Sequence, residues 1–261
     1  MRIGFLLLVV SALVCLAAGR FHLLNLSGGP AWLISVAALI SMLFTIGWAV
    51  HKRLDGVLID RDNRISLSRL QFILWTLLVM SGLQAAGIFN TSATYPQTVD
   101  KDLMLGPLDI RISPEIWALL GLGSFTAVAA PLIKSRYRAR PLRAPDDGTA
   151  IAAKVAQDRG CVSGRFVGRV YQNASPKEAR WIDLVMGDYE GAPHIDISKV
   201  QHLMLTMLLL LVYCLALYEI LDKNLPLSEA IPKFPDISPG MLSLLGISHA
   251  AYLAGKVQEP S

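Results

Sequence analysis

Hydrophobic positions in this chain gather into six long windows almost free of charge. They run over about Ile3–Gly19, Trp32–Val50, Leu70–Phe89, Ile116–Ile133, Val200–Leu221 and Pro239–Gly255. A bilayer-spanning helix needs about 20 mostly apolar residues, within a range of about 17–25. The third and fifth windows meet that requirement outright. The first is short, and the sixth is short and rich in Gly, Ser and Ala. The polar breaks predict how the windows pair. Asn25-Leu26-Ser27-Gly28-Gly29-Pro30 is turn chemistry, with a proline suited to the next helix's first turn, so windows one and two form a hairpin. The breaks Asn90–Arg111, with Pro96 and Pro107, and Asp222–Asp236, with Pro226, Pro232 and Pro235, close two more hairpins.

The break between windows four and five is different in kind. Lys134–His194 is the one sizeable polar stretch. Thr149–Arg159 has the pattern of a short helix. Gly164–Tyr171 alternates as a strand does. Ser175-Pro176-Lys177-Glu178 reads as a capping box with proline at the first helical position, opening a helix to about Met186 that Gly187 stops. This piece is too small to bury a core of its own, so it is expected to lean on helix ends or on a partner.

The windows also carry a duplication. Ile65–Thr76 reads ISLSRLQFILWT and Ile195–Thr206 reads IDISKVQHLMLT. Ile65/Ile195, Ser68/Ser198, Arg69/Lys199, Gln71/Gln201 and Thr76/Thr206 recur in register, 130 residues apart. ISPEIWALLG from Ile112 and ISPGMLSLLG from Ile237 form a second matched pair. Each copy is a polar helix start, an apolar helix, a loop, an Ile-Ser-Pro start and a second apolar helix. Both copies begin on the same side, so the duplication is parallel and implies a pseudo-twofold axis along the membrane normal. The expected fold is an all-α membrane protein of about six transmembrane helices, with a small α+β cytoplasmic insertion. Its parts are an N-terminal hairpin (1–50), a basic cytoplasmic linker (51–69), a first repeat hairpin (70–133), the cytoplasmic insertion (134–199) and a second repeat hairpin (200–261).

Composition agrees. Of 261 residues, 53% are hydrophobic and 17% charged, against about 25% charged in ordinary soluble domains. The cations fix orientation. Lys52, Arg53, Arg61, Arg64 and Arg69 separate windows two and three, and Lys134, Arg136, Arg138, Arg140 and Arg143 follow window four. These segments are expected to be cytoplasmic, which places both termini inside. Lys52, Arg53, Lys134, Arg136 and Arg138 are the expected contacts to anionic lipid headgroups. With the basic clusters hugging helix ends, the net charge of +4 calls for no nucleic-acid partner. Met1-Arg2 and the apolar run after it resemble a signal peptide, but no A-x-A site follows, and an uncleaved first helix is expected. Cys15, Cys161 and Cys214 show no CxxC spacing and are expected as ordinary thiols.

Candidate chemistry is sparse. Gln71 and Gln201 each sit a few residues inside a helix, with Thr76 and Thr206 beyond them. Polar side chains at such depth usually hydrogen-bond across helices; the alternative is that all four line a polar path. Ser68 and Ser198 are expected as helix caps. Gly121, Gly123 and Ala127, with Gly246, Ser248, Ala250 and Ala254, make small faces suited to close helix packing. His249 lies within window six and is read as a hydrogen-bonding histidine rather than a proton relay. His194, Asp196 and His202 mimic ligand spacing without a second cluster, so no metal is expected. Trp181, Asp183, Asp188 and Glu190 form an acidic, aromatic patch: a solvated turn, or a docking surface for a basic partner. G-x-S-x-G, H-E-x-x-H and phosphate-loop patterns are all missing, and neither enzymatic activity nor a cofactor is expected.

SLSRLQFILWT from Ser66, IDISKVQ from Ile195 with Thr206, and LLGISHAAYLAGK from Leu244 resemble a family of uncharacterised bacterial integral membrane proteins with a duplicated helical hairpin. The resemblance covers windows three to six and the end of the insertion, and implies a bacterial inner membrane. The functional expectation is a non-enzymatic membrane module that binds another protein or a second copy of itself, or relays a signal, through the insertion. The alternative is a channel or small-solute transporter built on the duplicated hairpins.

Overall fold

Every apolar window within the described residues folds as a single helix. The computed structural model describes residues 28–91, 106–142, 148–158, 160–189, 194–223 and 230–257. The first window, Cys15 and Glu190 lie outside them. The long helices are α1 (Gly28–His51), α2 (Leu67–Asn90), α3 (Pro114–Arg138), α5 (Ile197–Lys223) and α6 (Pro239–Val257); a short α4 (Gly148–Asp158) precedes an antiparallel hairpin of β1 (Gly164–Val167) and β2 (Val170–Asn173). The fold is therefore mostly helical with one small two-stranded sheet. Helices α1, α2, α3 and α5 are long and apolar enough to cross a membrane. Helix α6, interrupted by Ser243, Gly246, Ser248 and His249, is not among them.

The helix starts follow their sequence signals, with one shift. Both Ile-Ser-Pro strings open helices at the proline, Pro114 and Pro239. Ser113 takes the extended N-cap conformation, and Glu115 meets the positive end of the α3 dipole. The serines expected to cap α2 and α5 do not. Ser66 is the N-cap of α2, and Ser68 turns inward. At α5 the Asp196 carboxylate accepts from the backbone N–H of Ser198 at 3.0 Å and of Lys199 at 3.3 Å. A charged cap outcompetes a hydroxyl for those N–H groups.

Helices α2, α3, α6 and α5 close a ring: α2 packs on α3 and α5, and α6 packs on the same two. Helix α1 lies outside, against α2 and α5. One glycine permits its approach to α5, and another lets the turn after α1 fold back on it. A Cβ on Gly28 would meet Leu221 O at 2.1 Å, and one on Gly47 would meet Leu54 O at 2.7 Å. The Trp32 indole N–H donates to Ser81 Oγ at 2.9 Å and joins α1 to α2. The small-residue faces divide. Gly123 and Ser248 are buried, but Ala250 and Ala254 are exposed, and a Cβ on Gly121 or Gly246 would meet nothing. Those small residues point outward because the ring takes its contacts from Leu119, Thr126 and Ala130 of α3 and from Leu245, His249 and Tyr252 of α6.

The segment between α3 and α5 corrects two expectations. The single strand proposed for Gly164–Tyr171 is the β1–β2 hairpin, turned at Gly168 with φ +56°. The helix proposed from Ser175 to Met186 is two 3-10 turns, Pro176–Glu178 and Trp181–Leu184. The Asp183 carboxylate breaks it: it accepts from Arg180 N at 2.9 Å and from Ile65 N at 3.3 Å, tying the chain to the start of α2. The hairpin rests on the end of α3, where Arg169 N donates to Tyr137 O at 3.0 Å. Residues 60–64 form a turn locked to β2 by reciprocal amide bonds, Asn63 Nδ2 to Asn173 O and Asn173 Nδ2 to Asn63 O, both 2.8 Å. The segment therefore leans on helix ends, as its size requires.

Candidate functional site

Two buried polar assemblies stand out, one at the basic end of the ring and one within it. The first centres on Asp188. Its carboxylate contacts Arg64 Nη1 at 2.8 Å, Lys199 Nζ at 3.0 Å, Lys134 Nζ at 3.2 Å, and the Lys256 ammonium. These cations come from the turn before α2, the start of α5, and the ends of α3 and α6. One carboxylate thus gathers the ends of the ring. Asp60 and Asp62 share Lys134 at 3.0 and 3.2 Å, and Asp62 also takes Arg138 at 2.5 Å. Asp183 faces Arg64 Nε at 3.5 Å.

Burial alone would raise the Asp188 carboxyl; the charges of Lys134, Lys199, Lys256 and Arg64 outweigh it and hold the group well below the usual carboxylate value. Burial would lower Arg64, and Asp188, Asp183, Asp60 and Asp62 raise it instead. Burial would likewise raise Asp60, and Lys134 and Arg64 lower it. Magnitudes show what such a hub does. Taking an ion out of water costs several kcal/mol, and each close contact returns about 4 kcal/mol at an effective dielectric of 20. The cations also repel one another. Opposing terms of this kind make a buried ion cluster a weak source of net stability, while loss of its one shared anion would be severe.

The second assembly is a polar layer across the ring. Gln71, Thr126, Thr206, Ser248 and His249 are buried; the last four lie along their helices between the two large apolar clusters, and Gln71 sits beside Leu70 and Ile73 of the second. Gln71 Nε2 donates to Thr206 Oγ1 at 2.6 Å, joining α2 to α5. Thr126 Oγ1 donates to Leu122 O at 2.8 Å, so its 2.7 Å contact with His249 Nδ1 has the imidazole N–H as donor. His202 Nδ1 meets Ser248 Oγ at 2.8 Å, and the two histidine rings are T-shaped with centroids 4.3 Å apart. His202 stacks on Tyr252, whose hydroxyl meets Ser68 Oγ at 2.9 Å and whose ring lies under the Lys256 ammonium at 4.9 Å. Tyr252 and Lys256 thereby connect the layer to the hub. Gln71 Oε1, Trp75 Nε1 and His202 Nε2 are buried without a hydrogen-bond partner among the described residues.

The site residues read from the sequence fall unevenly on these assemblies. Gln71, Thr206 and His249 are in the layer; Thr76 is half-buried and Gln201 is exposed, so the four Gln and Thr side chains do not converge. Of the acidic patch, Trp181 is exposed, but Asp183 and Asp188 are buried. They turn inward because the cations that neutralise them end the helices there. Of the expected headgroup contacts, Lys52 and Arg136 are exposed. Lys134 is buried in the hub, Arg138 is paired with Asp62, and Arg53 is paired with Asp55 at 2.7 Å. Sequence reasoning missed Arg64, Lys199 and Lys256 as partners of Asp188. The available signal was that each apolar helix begins or ends with a cation just where the intervening segment returns. His202 was noticed only as a possible ligand; among the described residues no metal-holding cluster occurs. No protein-family model, curated protein or solved structure matches the chain.

Proposed function

We propose that this chain is a multi-pass protein of the bacterial inner membrane, non-enzymatic, whose intervening segment lies on the cytoplasmic side and binds a partner or relays a signal. The observation that carries the reading is the pairing of polar side chains between helices. Gln71–Thr206, Thr126–His249 and His202–Ser248 each join two different helices, which is what interhelical locking requires and a conducting lane does not. The Asp188 hub supports the same reading, since it couples the segment outside the apolar helices to four points on the ring. Both termini are assigned to the cytoplasm, on the distribution of cations.

A second reading, a channel or small-solute transporter, draws on the unpaired Gln71 Oε1, Trp75 Nε1 and His202 Nε2, polar atoms that a passing solute could engage. Replacing Gln71 by Leu and Thr206 by Val separates the two. The module reading expects weakened helix association and unchanged solute permeability of reconstituted vesicles. Lost flux with intact assembly would establish the transporter.

A further inference from the structure

The segment that joins α3 to α5 carries an apolar rim that the hub and the polar layer leave unused. Leu54, Trp181, Ile182, Ile195 and Ile197 are between 45% and 72% exposed. They are neighbours. Arg53 Nη1 donates to Lys177 O at 2.8 Å, which brings the Leu54 turn against the turns bearing Trp181 and Ile182. Asp196 N donates to Val185 O at 2.8 Å, and Met186 bridges Ile195, which brings the start of α5 against the same turns.

Two features say what covers this rim. First, Leu184 and Val185, which follow Ile182, share an apolar cluster with Leu70 and Ile73 of α2 and Leu203 of α5. Those residues lie three to six positions inside their helices, roughly 5–9 Å along the axis. The turn bearing Trp181 is itself tied to the starts of these helices, through Ile65 N to Asp183 and Asp196 N to Val185 O, where their apolar walls begin. Second, Ile197 opens the exposed face of α5 that, past exposed Gln201, continues through Met204, Leu208, Leu211 and Leu215, spaced to share one helix face. The rim is thus continuous with an apolar wall that the membrane reading assigns to lipid. Exposed Lys52 and Lys177 flank it. An indole at an apolar boundary with lysines that can reach outward is the chemistry of a bilayer interface.

We propose that Leu54, Trp181, Ile182, Ile195 and Ile197 form a membrane-interface surface that seats the intervening segment in the headgroup–acyl boundary of an anionic bilayer. The proposal rests on the membrane reading. It leaves the β1–β2 hairpin and α4, rather than the Trp181 turn, to meet a partner protein.

The test uses nitroxide labels at Ile182→Cys and Ile197→Cys, with Arg165→Cys on the hairpin as the aqueous control, each in full-length chain whose native cysteines are replaced by Ala. All three positions are exposed and so tolerate change. In vesicles of phosphatidylethanolamine and phosphatidylglycerol, labels at 182 and 197 are expected to collide readily with oxygen and poorly with a water-soluble nickel chelate, and the label at 165 the reverse. Nickel access at 182 equal to that at 165 overturns the proposal. Shielding of 182 from both quenchers also overturns it, in favour of a protein contact. A chain that stays in the soluble fraction, with all three labels open to nickel, would instead defeat the membrane reading itself.

Discussion

Gln71 of α2 and Thr206 of α5, neighbouring helices of the ring, are bonded at 2.6 Å, yet the matching residues of the duplicated strings are not their equals: Gln201 is exposed and Thr76 half-buried. The Gln–Thr lock therefore joins α2 to α5 through one copy's Gln and the other copy's Thr, without the reciprocal pair. A double-mutant cycle with Gln71→Leu and Thr206→Val, read by unfolding in mild detergent, should give a coupling near the average of about 0.6 kcal/mol for interhelical hydrogen bonds in membrane proteins, and no more than about 1.7 kcal/mol. A coupling near zero would mean that the two side chains act independently.

Removing the anion at the hub should cost far more. Asp188→Asn leaves Arg64, Lys134, Lys199 and Lys256 clustered without their shared carboxylate. Breaking a buried pair from one side costs about 3–5 kcal/mol. Adding Lys256→Met to that variant removes one of the repelling cations and should recover part of the loss. Thermal unfolding of wild type, single and double variants measures this; a double variant no more stable than Asp188→Asn would show that repulsion is not the cause.

The pH dependence follows from the same group. Asp188 is held well below its usual value in the fold, and an unfolded Asp titrates near 3.9. Its contribution is therefore fully present above about pH 4 and is lost as pH falls through the lower folded value. The groups facing it are Arg64, Lys134, Lys199 and Lys256, with Asp60, Asp62 and Asp183 beyond them. Stability between pH 5 and stronger acid should fall less steeply in Asp188→Asn than in wild type, as unfolding titrations would show.

At the opposite end of the ring, Asn90 reads the backbone of residue 231: Ile231 N donates to its Oδ1 at 2.7 Å, and its Nδ2 donates to Ile231 O at 3.1 Å. Asn90→Leu would strand two buried backbone groups, at about 1–3 kcal/mol each. Faster hydrogen exchange at the Ile231 amide, with little change at the α2 core, is the expected result.

The helices were legible because apolar length is a local signal, and Ile-Ser-Pro and Gly-Gly-Pro mark the starts of α3, α6 and α1 in the sequence itself. Gln71, Thr206 and His249 were legible for the same reason: polar residues stand out against an apolar window. The hub was not. Asp188 lies in a polar segment where an acid reads as solvated, and only the tertiary return of that segment to Arg64, Lys134, Lys199 and Lys256 makes it buried. The 3-10 turns were missed because the Ser175 string makes no capping box: Ser175 bonds no N–H of its turn, Glu178 accepts from Val162 N at 2.6 Å, and the Asp183 carboxylate is committed to Arg180 and Ile65 instead of to a continuing helix. Caps at Ser68 and Ser198 were misassigned because a two-residue shift of each helix start puts Ser66 and Asp196 in that place.

The central claim is that the chain is a locked membrane module serving another protein. Native mass spectrometry of the tagged full-length chain, extracted gently from its own host membrane, tests it most directly. The account predicts a second, different protein in fixed ratio to this chain, lost when the β1–β2 hairpin surface is altered. A ring of identical chains alone, conducting solute in vesicles, would contradict it.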